Sequence, residues 1–189
     1  MTLVTETCTE RDVELLQETF QRIAGDLAMI TDREFDIKSV KTGRAAKRAA
    51  GRDTIHVSFK LGFKAPSAAL HGCLLMPLSD AVSVACYLMM VPDDGVKSKR
   101  TLQTLDSATK DAMLEVGNFI GGATDAAMRA LGFDHVKVSS EGCQGVKPDV
   151  RPVLQYQEGA PLLIGRAQAK LHSFPEFEML LMLPELPAA

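Results

Sequence analysis

Three side chains near the middle of the chain have types and spacing that could do chemistry. In KDAMLEVGNFIGGATDAAMRAL, Asp111, Glu115 and Asn118 are separated by four and three residues. At about 100° per residue they fall within roughly 60° of one another on a helix, as a single stripe. A carboxamide both donates to and accepts from a water molecule, which neither a carboxylate nor an ammonium can do. A carboxylate one turn away can pair with a cation on a partner. The stripe therefore holds the parts for orienting a water and fixing a docking register.

The opposite side of the same pattern carries Met113, Val116, Ile120, Ala123, Ala127 and Leu131, enough apolar surface to bury that side and aim the stripe outward. Any amphipathic helix has a polar face, so the stripe alone is ordinary. Its glycines are not. Gly117, Gly121 and Gly122 stand inside one helix, each costing about 0.8–1 kcal/mol relative to alanine, together about 2–3 kcal/mol. Glycine on a helix surface lets another backbone approach closely, and Gly122 falls on the stripe about one turn beyond Asn118, which suits a docking face.

The helix that positions these residues spans about Leu105 to Leu131 and ends at Gly132, a suitable residue just past a helix C-terminus. Upstream, Val13, Leu16, Phe20, Ile23, Leu27 and Ile30 recur at helical spacing between Asp12 and Ile30. A short strand is expected at Phe35 to Val40, and a solvated hairpin loop in KTGRAAKRAAGRD. Strands follow at Thr54 to Phe63, where one face alternates apolar and the other is left to water, and at Leu70 to Leu78. Ser79 reads as the N-cap of an apolar helix, Asp80 to Met90, stopped by a turn at Pro92-Asp93-Asp94-Gly95. Three further strands are expected at His135 to Ser140, Pro161 to His172 and Glu176 to Leu183. This order predicts an α+β fold, a mainly antiparallel sheet with two long helices packed on one face.

The 189 residues are enough for one core, with no Ser/Gly/Pro-rich linker, so one domain, residues 1–189 with a core of about 10–184 and short flexible ends, is the expectation. A net charge of -3, a pI near 5.8 and 5% aromatic residues without tryptophan argue against a nucleic-acid partner. The start of the chain has no basic patch leading into an apolar run, and no apolar stretch is long enough to span a membrane, which predicts a cytoplasmic protein with no membrane partner. Cys8, Cys73, Cys86 and Cys143 lack a C-x-x-C pair and read as buried free thiols. His56, His71, His135 and His172 show no i,i+4 pairing, so no metal site is expected. Lys97, Lys99 and Arg100 read as solvated, and Met89, Met90, Met179 and Met182 as core.

The run Asp111-x-x-x-Glu115-x-x-Asn118, followed by small residues, resembles the signature helix of the CheC/CheX/FliY chemotaxis phosphatases. The likeness extends more loosely from Glu10 through Leu183, including GCLLMPLSDAVSVACYLMM. Some members carry a proline 23 residues after the Asn, where this chain has Glu141 and its next proline is Pro148. That favours the CheX-like branch. The resemblance implies a phosphatase acting on the phospho-aspartate of a CheY-like response regulator receiver domain. The Mg²⁺ and the lysine of such a site belong to the partner, so no cofactor of its own is expected. Asn118 would orient the attacking water, as a glutamine does in GTPases, Glu115 would pair with the receiver's lysine, and Asp111 and Gly122 would serve docking.

Shifted by 97 residues, Glu14, Glu18, Gln21 and Gly25 fall on Asp111, Glu115, Asn118 and Gly122, and Ile23 falls on Ile120. Family members with two sites carry one on each such helix. Glu14, Glu18 and Gln21 therefore form a candidate degenerate second site, with glutamine in place of asparagine, in a fold with an internal pseudo-two-fold repeat. Two further readings stay open. One is a non-catalytic receiver-domain or flagellar-switch-like binding module, since switch relatives share the fold without the chemistry. The other is a homodimer that extends its sheet through an edge such as Pro161 to His172.

Overall fold

The computed structural model describes residues 8–102, 104–156 and 159–186. The expected flexible ends, 1–7 and 187–189, lie outside the described residues. Thr9 opens the first helix, α1 (Glu10–Thr31), with a reciprocal cap: its Oγ1 accepts from the Asp12 amide at 3.1 Å, and Asp12 Oδ2 accepts from the Thr9 amide at 2.8 Å. Two orphan donors are thereby satisfied before the apolar side (Leu16, Phe20, Ile23, Leu27) turns fully inward. The helix ends where Asp32 enters the left-handed region at φ 51.

Three strands follow, β1 (Phe35–Ala45), β2 (His56–Ala65) and β3 (Ala68–Pro77). Then come helices α2 (Leu78–Leu88), α3 (Asp93–Lys99) and α4 (Ser107–Ala130), and strands β4 (Lys137–Val146), β5 (Leu162–Leu171) and β6 (Phe177–Leu183). All five strand pairings are antiparallel, in one sheet of order β1-β5-β6-β3-β2-β4. Exchanging β1, β2 and β3 with β4, β5 and β6 turns this order into its own reverse. The Arg11 guanidinium near the start of α1 reaches the Leu131 carbonyl at the end of α4 (3.0 Å), so the two long helices run antiparallel.

Both long helices pack on one sheet face over Phe59, Leu61, Phe63, Leu74, Ala167 and Leu181. On the expected water-facing side of β2, His56 and Ser58 are buried and Lys60 is half-buried, and the neighbouring strands β3, β5 and β6 build a second small core there, with Cys73, Leu75, Ile164 and Met182 under Leu154 and Tyr156. Two irregular segments, 46–55 and 147–156, cover it. Gln155 fastens one to β3: its carbonyl accepts from the His71 amide at 2.7 Å, and its amide donates to His71 Nδ1 at 3.0 Å. His71 therefore carries its proton on Nε2, which donates to Glu141 at 2.9 Å.

Several expectations are corrected. Lys41 to Ala45 continues β1 rather than looping, because Arg44 and Ala45 pair with Leu163 and Leu162, and Arg44 forks onto both carboxylate oxygens of Asp12 at 2.9 and 2.6 Å. Ser79 lies inside α2, whose N-cap is Pro77. Pro92 to Gly95 opens α3 instead of forming a free turn. Arg100 is not solvated: its Nη1 lies 2.9 Å from buried Asp80 and 2.6 Å from Ser83 Oγ, and its guanidinium sits 4.0 Å above Phe174. Lys99 is likewise engaged, donating to Asp106 at 3.0 Å. Met90 is 89% exposed at φ 60, outside the core. The strand at 162–171 is paired on both sides, to β1 and β6, so it offers no edge to a second copy; the edges are β1 and β4.

Candidate functional site on the long helix

Asp106 starts α4. Its Oδ1 accepts from the Thr109 amide at 2.7 Å. Thr109, through its hydroxyl and amide, and then Lys99 hold the Asp106 carboxyl well below the usual carboxylate range. The apolar side of the helix (Met113, Val116, Ile120, Ala123, Ala127) is buried as its spacing requires, with Leu131 half-buried. Two of the three interior glycines serve this packing. A Cβ at Gly121 would stand 2.7 Å from the Ser140 amide nitrogen and 3.2 Å from the Ser139 carbonyl carbon, and one at Gly117 would stand 3.0 Å from Ser140 Oγ. They let β4 run tight against α4 and so fix how the helix is rotated on the sheet. Around Gly122 nothing lies within 4 Å.

That rotation leaves Asp111, Glu115, Asn118 and Gly122 all exposed on one outward face. Asn118 Nδ2 donates to Glu115 Oε2 at 3.2 Å. The opposite amide orientation would set two oxygens against each other, so the amide hydrogens face Glu115 and Oδ1 is the free acceptor. Among the described residues neither Asp111 nor Glu115 pairs with a lysine or arginine. The face is convex. Cavities lie elsewhere, one of about 590 Å³ beside His56, Asp80 and Arg100, another of about 230 Å³ between Arg11, Asp12 and Leu186. An exposed helix face presents itself to a macromolecule rather than enclosing a small molecule.

The candidate second stripe also points outward, with Glu14 and Gln21 exposed, Glu18 half-buried and open space around Gly25. The 97-residue shift that overlays the stripes also overlays the two N-caps, Thr9 and Asp106. The stripes differ in one respect that their polar residues do not announce. Glu18 is occupied by Arg22, Nε to Oε1 2.5 Å, whereas the position equivalent to Arg22 is Phe119, half-buried and uncharged. The α4 carboxylate is thus free and the α1 carboxylate is not. The same comparison made along the sequence would have found Phe119. Leu114, exposed beside the stripe, was legible too, since helical spacing sets it on the stripe's side and away from Met113, Val116 and Ile120.

Glu141, where some family members have proline, sits in a bulge: the register steps from Phe59↔Cys143 to Leu61↔Ser140, so Glu141 and Gly142 (φ 97) together oppose Lys60. Its carboxylate takes His71 and, at 3.3 Å, Lys60. It belongs to the sheet face away from α4.

No protein-family model matches the chain, and no curated protein does. Solved structures are similar in fold over most of its length. The FliY structure from Thermotoga maritima is 12% identical, with 95% of this chain and 92% of that one covered, at a TM-score of 0.67. A chemotaxis protein CheX from Desulfovibrio desulfuricans is 14% identical over 89% and 97%, at 0.56. The middle domain of FliM from H. pylori is 8% identical over 94% of each chain, at 0.63. The fold is that of the CheC/CheX/FliY-type proteins, with the α+β class and antiparallel sheet that the sequence predicts. No helix among the described residues is long and apolar enough to cross a membrane.

Proposed function

We propose that this protein is a phosphatase that dephosphorylates the phospho-aspartate of a CheY-like response regulator, in chemotaxis or related two-component signalling. The observation that carries the reading is the Glu115/Asn118 pair, two side chains in contact on the outward face of α4, the acid engaged by no lysine or arginine among the described residues. On a docked receiver, the partner supplies the Mg²⁺ and the lysine that neutralise phosphoryl charge, and Glu115 pairs with that lysine. Asn118 then presents Oδ1 to one hydrogen of a water whose oxygen attacks phosphorus in line. The new P–O bond forms as the bond to the aspartate oxygen breaks. The aspartate leaves as carboxylate, and the water's proton leaves with orthophosphate. The chain's contribution is geometry: an aligned water is worth orders of magnitude in rate, and losing one positioning group costs on the order of 10²–10³.

The test is loss of labelled phosphate from receiver domains of the same genome, with and without the protein and its Asn118→Ala variant. Acceleration by the wild type that drops by about 10²–10³ in the variant is the expected result. Stable docking with no acceleration by any receiver would favour the second reading, a non-catalytic receiver-binding or flagellar-switch-like module. The structural likeness to the FliM middle domain is what speaks for that reading.

A further inference from the structure

Leu114 is 45% exposed, while Ala112, Met113, Val116 and Ile120 on the same helix are buried. At 100° per residue it lies about 40° from Asn118 and one turn before it. Helical side chains lean toward the N-terminus, so the Asn118 side chain leans over the turn that Leu114 occupies. One exposed leucine is ordinary on a protein surface. Its surroundings here are not. It is bordered by exposed Lys110 one turn before it and by two carboxylates, Asp111 and Glu115, that have no lysine or arginine partner among the described residues, and it lies two turns before the open space at Gly122. Truncating it would leave no hole in the core, so the fold does not require it.

We propose that Leu114 is the apolar anchor of this docking face. It packs against an apolar side chain that borders the partner's phospho-aspartate, and it sets affinity rather than the chemical step. The inference rests on the receiver-docking half of the reading above. The occupant follows from charge: two free carboxylates call for a surface that offers an ammonium, and the leucine calls for an apolar side chain next to it, as in interfaces where a desolvated anchor is rimmed by complementary charge. A second copy of this chain, acidic overall, fits that requirement less well.

The test uses the full chain and a panel of beryllofluoride-loaded receiver domains from the same genome. Leu114→Ala should raise Kd about three- to tenfold, the effect of losing the burial of the exposed part of a leucine. Leu114→Asp should weaken binding further and Leu114→Met should hold it near wild type with an unchanged Tm. At saturating protein, single-turnover phosphate loss should be unchanged in Leu114→Ala while Asn118→Ala is slow. Wild-type affinity in Leu114→Ala, or a loss confined to the chemical step, overturns the inference. So does a change in sedimentation of the free protein on making Leu114→Asp, which would assign the patch to self-association. Binding that weakens as expected without any phosphatase activity sustains the anchor and overturns the catalytic reading alone. Failure to bind any receiver overturns both.

Discussion

Gly121 and Gly122 are neighbours in one helix, and the structure predicts opposite outcomes when each becomes alanine. Replacing a helical glycine by alanine stabilises by about 0.8–1 kcal/mol where the methyl group meets nothing. Gly122 meets that condition, with nothing within 4 Å, so Gly122→Ala should raise Tm by about 2–4 °C for a chain of this length. At Gly121 the new methyl would stand 2.7 Å from the Ser140 amide nitrogen. That obstacle is backbone, hydrogen-bonded into β4, not a side chain that can rotate away. Overpacking of this kind costs about 1–3 kcal/mol, which exceeds the propensity gain. Gly121→Ala should therefore lose about 1 kcal/mol net, a fall of about 2–4 °C. Thermal melts by circular dichroism, with urea titrations to check that the slope is unchanged, would measure the difference of about 2 kcal/mol between the variants. Two variants stabilised alike would refute the close approach of α4 to β4, and with it the rotation that turns Asn118 outward.

In an Asn118→Ala background the intact α1 stripe should give no phosphate loss above the receiver's own rate, because Glu18 is held by Arg22 and Gln21 is a methylene longer than asparagine; residual acceleration abolished by Gln21→Ala would contradict this. Burial, then Lys60, lowers the His71 pKa against the opposing pull of Glu141. The unfolded chain thus binds the proton more readily, and this contribution to stability is full above the unfolded value of about 6.5 and is lost as pH falls below it. The protonated ring would also turn a donor toward the Gln155 amide. Urea midpoints between about pH 5 and 7 should fall less steeply in His71→Gln than in wild type, and parallel curves would count against the tautomer assigned here. Burial pushes the Cys73 thiol up to about 12, so iodoacetamide at pH 8 should leave it unlabelled in the native protein, as read by mass spectrometry of the intact and urea-unfolded chain.

The long helices and the stripe were legible because their information is local. A spacing of three and four residues says which side chains share a face, and the apolar face says which way the stripe points. What could not be read was whatever depends on the approach of distant segments. Lys41 to Ala45 resembles a basic loop until β5 supplies the ladder that makes it strand. The second sheet face appears wet because Leu154 and Tyr156, which cover its small core on β3, β5 and β6, lie in a stretch with no periodicity of its own. Arg100 appears solvated until Asp80 and Phe174 are brought to it. The glycines divide the same way: their cost in a helix marks all three as unusual, but only the position of β4 separates two that serve packing from one that serves the open face.

The palindromic strand order has a consequence for how the chain acquires its structure. Each half places its first strand in the other half's territory: among the described residues β1 is paired only to β5, and β4 only to β2. During synthesis β2 and β3 can close their hairpin at once, but β1 must wait, with one helix beside it and no ladder, until β5 has emerged. Loop closure across such distances must be completed before the pairing that rewards it, which makes folding slow and leaves a strand edge exposed meanwhile. A break in the connection between α3 and α4 would not yield two self-sufficient halves. Each would hold one hairpin and one orphaned strand, complete only when the other is present.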